Sequence, residues 1–278
     1  MSGNLYLVAT PIGNLDDITL RALKILKEVD IIAAEDTRHT LKLLNHFEIS
    51  KPLISYYKQT EKHKGEVILS KLLDGKNVAL VSDAGTPVIS DPGEEIVKLA
   101  IKNGIKIIPI PGTCACITSI IASGLPASSF SFFGFLPVNN NEKINKLKEI
   151  KDYNTTLIFY EAPHKLINTL NAIREVFGER DIVLCRELTK IHEEFIRGSI
   201  SDILENYTNP RGEFVIIVQG CNKKVNFQLD LLNELSLNQH YEYYSKKGLN
   251  KKEIIKQIAK DRNVSKNEIY KYFFNDKK

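Results

Sequence analysis

The chain has 278 residues, of which 43% are hydrophobic and 26% are charged, values ordinary for a soluble globular protein with room for two compact domains. It contains no apolar run near the roughly 20 residues of a membrane span, and its first residues lack the basic region of a signal peptide. We therefore expect a cytoplasmic protein with no membrane partner. Four cysteines without paired spacing argue against a disulfide framework, and no ligand motif indicates a metal site.

The net charge of +4 is unevenly distributed along the chain. Residues 221–278 contain 13 basic and 7 acidic side chains, whereas the first 220 residues carry a net charge of −2. A basic segment on a nearly neutral body indicates a polyanionic partner, nucleic acid first. A solvated lysine-rich surface is the alternative interpretation.

Short apolar runs alternate with helical patterns through residues 1–124. Such alternation is typical of parallel βα units, so we expect an N-terminal α/β domain over this range. The predicted strands are 4–9, 29–34, 52–56, 78–81 and 105–110.

Residues 125–222 repeat the strand and helix patterns and predict a second α/β domain. The predicted strands are 131–136, 155–160, 181–185, 193–199 and 212–219. A linker is predicted at 221–230, and residues 223–278 predict a small, basic, all-helical C-terminal domain. A break at 261–264 between two helical patterns indicates a helix-turn-helix or, as an equal alternative, a hairpin that docks on protein.

One stretch, 78–93, organises the N-terminal half of the chain and reads VALVSDAGTPVISDPG. Its apolar start predicts a buried strand that ends at small residues and a carboxylate, Asp83. Small residues let the backbone approach a ligand, and a carboxylate accepts hydrogen bonds from hydroxyls or amines. The second half predicts a helix start, with Ser90 or Asp91 as the cap and Pro92 in the first turn.

Several loops at predicted strand ends carry similarly unusual residues. Because the carboxyl ends of parallel strands share one edge of a sheet, we expect these loops to form a ligand crevice. The sequence lacks a phosphate-binding P-loop, a dinucleotide G-x-G-x-x-G and a G-x-S-x-G elbow. An uncharged or zwitterionic nucleoside-like ligand suits such a crevice. S-adenosylmethionine fits this description, as do other ligands of similar polarity.

Seven segments in register carry a resemblance to a known family. They are LYLVATPIGNLDDIT, AAEDTR, LVSDAGTPVISDPG, IPGTCACITSI, FYEAPHK, CRELTKIHEE and RGEFVIIV. Together they extend from Leu5 to about Val218, and they resemble the rRNA-modifying branch of the tetrapyrrole methylase (class III methyltransferase) family. A basic tail is also typical of that branch. The first loop, Ala9 to Gly13, fits the rRNA branch better than the glycine-rich loop of tetrapyrrole-modifying relatives.

The resemblance implies two α/β domains of the tetrapyrrole methylase type with S-adenosyl-L-methionine in the cleft between them, and a homodimer. It implies methyl transfer to the ribose 2′-oxygen of a cytidine in the decoding region of small-subunit 16S rRNA, as free rRNA or in the 30S subunit. It also implies cofactor contacts. These fall on Pro11, Ser82, Asp83, Ala84, Gly85, Thr86, Thr113, Cys114, Ala115, Tyr160, Ala162, Gly212, Glu213 and Phe214.

A ribose hydroxyl is a poor nucleophile, so a general base or an oxyanion-stabilising cation would assist the transfer. Two loops offer candidates for these catalytic roles. They are Glu35, Asp36 and Arg38 in one loop and Arg186, Glu187 and Lys190 in the other. The alternative for each set is a salt bridge within the loop that shapes the cleft.

Two rival functions stay open from the sequence. One is a tetrapyrrole (porphyrinoid) C-methyltransferase of the same fold, against which the basic tail and the AEDTR loop argue. The other is a non-catalytic RNA-binding protein that retains a relict cofactor cleft. Binding of cofactor without transfer to RNA would favour the latter.

Overall fold

The computed structural model describes residues 2–207, 209–221, 232, 235–262 and 264–274. The chain divides into two compact units, Met1–Gly220 and Cys221–Lys278. None of the helices in these described ranges is long and apolar enough to cross a membrane. The predicted boundary at residue 124, inside the first unit, stays a prediction.

The first unit begins with a five-stranded parallel sheet. Its strands are β1 (Leu5–Val8), β2 (Ile31–Ala34), β3 (Leu53–Ser55), β4 (Val78–Val81) and β5 (Ile107–Ile110), in the order β3-β2-β4-β1-β5. The helices are α1 (Leu20–Glu28), α2 (Thr37–His46), α3 (Glu61–Leu73), α4 (Glu94–Lys102) and α5 (Ala115–Ser123). All four residues of β4 are buried, as expected for a central strand covered on both faces. The α/β prediction is confirmed.

The second sheet of this unit is mixed. Its strands are β6 (Phe130–Phe135), β7 (Thr156–Glu161), β8 (Asp181–Arg186), β9 (Glu194–Ser199) and β10 (Phe214–Val218), in the order β6-β7-β10-β8-β9. Only β6 and β7 pair in parallel; the other neighbours are antiparallel. Three helices accompany it: α6 (Asn140–Ile150), α7 (Leu166–Phe177) and α8 (Ile200–Asn206).

Helix α5 connects the two sheets through packing. Its buried residues Cys116 and Ile120 belong to one apolar cluster with Ile158, Val183 and other inward-facing residues of the second sheet. The opposite face of that sheet packs against residues of α6, α7 and α8 in a separate cluster. The second sheet is therefore covered on both faces, with the end of the first sheet's last βα unit on one of them.

The structure corrects the predicted N-terminal cap of α4. Neither Ser90 nor Asp91 caps the helix, because the N-cap is Gly93 with φ 143°. A Cβ at Gly93 would lie 2.7 Å from Val88 Cγ2 and 2.9 Å from Leu80 Cδ2, so only glycine fits. Val88 and Ser90 also have positive φ. The backbone thus turns sharply before the helix, and Ser90 and Asp91 lie in a loop.

The described part of the C-terminal unit includes the helices α9 (Leu237–Lys246), α10 (Lys251–Asp261) and α11 (Lys266–Phe274). Helix α10 buries Ile254, Ile255, Ile258 and Ala259, which the sequence spaces along one helix face, in one apolar cluster. The predicted linker at 221–230 lies, apart from its first residue, outside the described residues. The helix-turn-helix interpretation stays a prediction.

A buried polar chain joins three elements beside the second sheet. Lys143 Nζ of α6 donates to Thr169 Oγ1 of α7 at 2.8 Å, and that hydroxyl donates to Glu161 Oε2 of β7 at 2.5 Å. All three side chains are buried. The second oxygen of Glu161 accepts from the backbone N–H of Ala162 at 2.9 Å. One hydroxyl therefore links a buried cation to a buried carboxylate.

We predict that Thr169→Val destabilises the protein by about 2–4 kcal/mol, because valine keeps the shape but leaves two buried charged groups without their shared partner. Thr169→Ser retains the hydroxyl and serves as the matched control, with a loss of about 1 kcal/mol for the methyl group. Urea unfolding of both variants measures the difference. Equal stability of the two variants would contradict the prediction.

Candidate active site

Hydrogen bonds tie together the loops that follow β1, β4 and β5. Thr10 and Gly85 exchange backbone hydrogen bonds of 2.9 and 3.0 Å. The Thr86 hydroxyl donates to the Thr113 carbonyl at 2.8 Å, and the Thr113 hydroxyl donates to the Thr10 carbonyl. Strands β1 and β4 are neighbours in the sheet. The chain continues from β1 to β2 on one side of this pair and from β4 to β5 on the other side. Such a switch point is where open α/β sheets bind ligands.

A cavity of about 440 Å³ opens at these loops and extends to the second sheet. Its size is that of small-molecule sites. Ten of the residues predicted to contact a cofactor line it. They are Asp83, Ala84, Gly85, Thr86, Cys114, Ala115, Tyr160, Ala162, Glu213 and Phe214. Their roles as cofactor contacts stay predictions.

The other predicted contacts belong to the surrounding framework. Thr113 supplies the hydrogen bond to Thr10, and Ser82 is buried with its hydroxyl donating to the backbone of the same loop. Pro11 is buried beside Thr10. A Cβ on Gly212 would lie 2.5 Å from Glu187 Oε1, so this glycine permits close approach of that carboxylate. None of these residues is in the lining of the described cavity.

The small residues of the loops around the cavity suit a nucleoside-like zwitterion. Gly85 has φ 82°, and a Cβ there would approach Ile12 Cγ2 to 3.2 Å. A Cβ on Gly112 would lie 2.7 Å from that of Ala9, so the loops pack with no room for side chains. Small lining residues leave space for a flat apolar group, and nearby carboxylates suit hydroxyls or a cationic group.

Five carboxyl groups line the same cavity: Glu35, Asp83, Asp91, Glu161 and Glu213. Burial, then the nearby Asp91 and Asp83, raises the pKa of Glu35 to about 7. Burial, against a hydrogen bond with Ser82, raises the pKa of Asp91 to about 6. Asp83 Oδ1 accepts from the backbone N–H of Asp36 at 2.9 Å. The site thus contains a carboxyl group that exchanges its proton near neutral pH, as a general base requires.

Asp36 and Arg38 form the pair that the sequence left open as a salt bridge. Asp36 is the N-cap of α2, and its carboxylate accepts from Arg38 Nη2 at 2.7 Å and Nε at 3.1 Å. Hydrogen bonds from Arg38 hold the pKa of Asp36 at about 2. Neither side chain lines the cavity. A catalytic role for this pair stays a prediction, and the geometry matches the structural alternative.

Lys190 lies between two carboxylates. Its Nζ is 3.1 Å from Glu187 Oε1 and 3.1 Å from Glu213 Oε2, and Glu213 lines the cavity. Burial works against both ionised groups, but the hydrogen bonds lower the pKa of Glu187 and raise that of Lys190. Arg186 pairs with Glu194 at 3.3 Å and donates to the Arg211 carbonyl at 2.7 Å. The loop is therefore charged and ordered at the cavity's edge.

The comparisons with known proteins agree with this architecture. The family model described as Tetrapyrrole (Corrin/Porphyrin) Methylases matches residues 4–204. Ribosomal RNA small subunit methyltransferase I of Halalkalibacterium halodurans is 50% identical over 98% of this chain and 94% of its own length. The enzyme of the same name from Bacillus subtilis is 49% identical over 96% of this chain and 93% of its own. The chain belongs to this methyltransferase family. The resemblance predicted from the seven segments is confirmed.

Solved structures show the same methylase fold at low identity. The methyltransferase CobJ aligns with a TM-score of 0.61 and 18% identity over 79% of this chain and 95% of its own. Uroporphyrin-III C-methyl transferase from Thermus thermophilus, complexed with S-adenyl homocysteine, aligns with a TM-score of 0.56 and 17% identity, covering 78% and 97%. These likenesses extend the fold assignment over both sheets.

Sequence reasoning missed part of the methylase cavity. The missed lining residues are Ile12, Ile89, Ser90, Asp91, Phe135, Glu161, Pro163, Cys185, Leu188 and Val215. The alternation of β8 and β10 carried a usable signal, since Cys185 and Val215 are register partners on one face. Asp91 was not predicted to line the cavity because the sequence assigned it to a helix cap.

We predict that the free energy of unfolding of Glu35→Gln, relative to that of the wild type, increases as the pH rises from about 4.5 to 7. The unfolded chain loses this proton near 4.5 while the fold keeps it to about 7, so ionisation of Glu35 destabilises the fold across that window. Thermal unfolding at pH 4.5 and pH 8 measures the change. The exposed Glu66→Gln on α3 is the control. A difference between Glu35→Gln and wild type that is the same at both pH values would contradict the prediction.

Proposed function

We propose that this chain transfers a methyl group from S-adenosyl-L-methionine to the ribose 2′-oxygen of a cytidine in the decoding region of small-subunit 16S rRNA. Relatives named ribosomal RNA small subunit methyltransferase I, at 49–50% identity along almost the whole chain, support the substrate. The observation that carries the reaction is the position of Glu35, a carboxyl group with a near-neutral pKa inside the cavity.

The cofactor would be held by the loops after β4 and β5 on one side and by Tyr160, Ala162 and Phe214 on the other. When bound, it supplies an electrophilic methyl group on a sulfonium. The fold relative crystallised with S-adenyl homocysteine supports this ligand. Tyr160 is fixed for such a role, because its hydroxyl oxygen accepts from the backbone N–H of Cys116 at 3.0 Å. This contact joins β7 to the start of α5 across the cavity.

The chain's own residues then position and deprotonate the acceptor. Glu35 accepts the proton of the ribose hydroxyl, and its raised pKa makes it a stronger base than an exposed glutamate. Lys190, held by Glu187 and Glu213, places a positive charge at the cavity's edge near the acceptor's developing negative oxygen. Holding the reacting atoms in line supplies much of the acceleration.

The C-terminal unit contributes affinity for RNA in this proposal. Helix α10 buries its isoleucines and exposes Lys251, Lys252, Lys256 and Lys260. Lysines on an exposed helix face attract phosphates without reading sequence. The proposal also includes a homodimer located in the cytoplasm, where small ribosomal subunits are found. It divides residues 1–222 into two domains with a boundary near residue 124.

Methyl transfer from labelled S-adenosylmethionine to small ribosomal subunits that lack the modification tests the function directly. Nuclease digestion and mass spectrometry then locate the label. A labelled cytidine ribose is the expected result. Cofactor binding without any labelled RNA would favour the relict-cleft alternative, and transfer to a porphyrinoid would favour the C-methyltransferase.

We predict that Glu35→Gln lowers kcat for subunit methylation by about 10²- to 10⁴-fold, because glutamine cannot accept the proton. The dissociation constant of S-adenosylmethionine, measured by calorimetry, should stay close to that of the wild type. Glu66→Gln serves as the matched control and should leave both quantities unchanged. Full activity of Glu35→Gln would show that Glu35 is not the general base.

We predict that replacing Lys251, Lys252 and Lys256 together by glutamine weakens RNA binding and reduces the slope of log K against log salt by about 2. Each lysine that contacts a phosphate releases counterions, and glutamine does not. Filter-binding assays between about 50 and 200 mM salt measure this slope. Glutamine at Lys24, Lys27 and Lys71 of the first unit is the control. An unchanged slope would leave docking on protein as the role of these helices.

A further inference from the structure

Strand β6 contains a β-bulge beside the cavity. Phe132 pairs with Ile158 of β7 and Phe135 pairs with Tyr160, so three steps on β6 match two on β7. Gly134 lies inside the bulge with φ 62°. A Cβ at this position would lie 2.6 Å from Ser90 Oγ, so the bulge also packs against the loop before α4. Bulges of this kind redirect side chains next to active sites.

The bulge changes which face of the sheet Phe135 occupies. In a regular strand, residues three apart point to opposite faces. Here both Phe132 and Phe135 contact the ring of Tyr160, with centroids 4.8 and 5.7 Å away and interplanar angles of 64° and 68°. Phe135 is thereby brought to the side of the sheet that lines the cavity.

Phe135 is the exposed member of this aromatic cluster. It lines the cavity, yet 61% of its surface is accessible to solvent, so it lies where the cavity opens. Ile89, 41% exposed, lines the same opening. A large apolar ring that packs edge-to-face against Tyr160 and keeps 61% of its surface accessible is available to stack with an incoming molecule.

We propose that Phe135 is the stacking surface for the nucleobase of the nucleotide that is methylated. The inference rests on the proposed function, because it takes the acceptor to be a ribose in RNA. Enzymes that act on one nucleotide draw it out of its stack, and proteins hold unstacked RNA bases on aromatic side chains. The part of the cavity lined by Glu35 and Gly85 then remains for the ribose and the cofactor.

This assignment gives the acceptor a defined orientation. A base stacked at the opening directs its own ribose inward, toward the carboxyl groups that line the cavity. Stacking does not depend on the identity of the base, so Phe135 contributes affinity and orientation rather than sequence reading. The residue is a substrate-binding residue, and its effect should appear in the interaction with RNA and not in the interaction with the cofactor.

The test compares Phe135→Leu, which keeps an apolar side chain, with Phe135→Trp, which keeps an aromatic face. Phe130→Leu is the matched control, because Phe130 lies on the same strand, is 37% exposed and is not among the residues that line the cavity. Wild type and all variants are assayed for methylation of unmodified small ribosomal subunits, for S-adenosylmethionine affinity by calorimetry and for oligomeric state by light scattering.

We expect Phe135→Leu to lower kcat/KM for subunits by roughly 5- to 150-fold, the range found when a stacked base loses its aromatic partner. Phe135→Trp should recover most of that loss, and Phe130→Leu should behave as wild type. The affinity for S-adenosylmethionine and the oligomeric state should stay unchanged in all variants.

Three results would overturn the assignment while the wild type methylates subunits. The first is full activity of Phe135→Leu. The second is weaker cofactor binding by Phe135→Leu, which would place the cofactor's adenine on this ring. The third is a changed oligomeric state of Phe135→Leu, which would place a second copy of the chain on this ring. A wild type that fails to methylate subunits would instead overturn the proposed function, and the stacking role with it.

Discussion

The hydrogen bonds between the loops after β1, β4 and β5 are the constraint on which the site depends. Thr10 and Gly85 bond in both directions, and Thr86, Thr113 and Thr10 continue the connection through side-chain hydroxyls. These bonds hold three strand ends at one edge and align the small residues of the cavity floor. They require Gly85, whose φ of 82° is costly for a residue with a side chain.

The regular elements could be predicted because their signal is local. Strand β4 has the bounds that the sequence indicates, since its continuous apolar run is buried at all four positions. The loop before α4 could not be predicted. Ser90 and Asp91 match the sequence preferences of a helix cap, but the N-cap is Gly93, where a Cβ would lie 2.7 Å from Val88 Cγ2 and 2.9 Å from Leu80 Cδ2. A tertiary contact overrode a local preference.

The same distinction separates the site residues that the sequence indicated from those it missed. Residues next to strand ends, such as Asp83 and Cys114, follow from the rule that ligands bind at one edge of a parallel sheet. Phe135 does not follow from any pattern, because alternation assigns it to the wrong face unless the bulge at Gly134 is known. The bulge also packs against Ser90, which is 44 residues away in the sequence.

Backbone strain is concentrated around the cavity. Among the described residues, five other than glycine have positive φ, and four of these, Val88, Ser90, Glu187 and Thr189, lie in the two loops beside it. Such conformations cost about 1–3 kcal/mol each and persist only where the surroundings fix them. Glu187 shows how: its carboxylate accepts from Lys190 Nζ and from the backbone N–H of Glu213. The charged network at the cavity's edge therefore holds the strained loop in place, so substitutions there act on the shape of the site as well as on its charge.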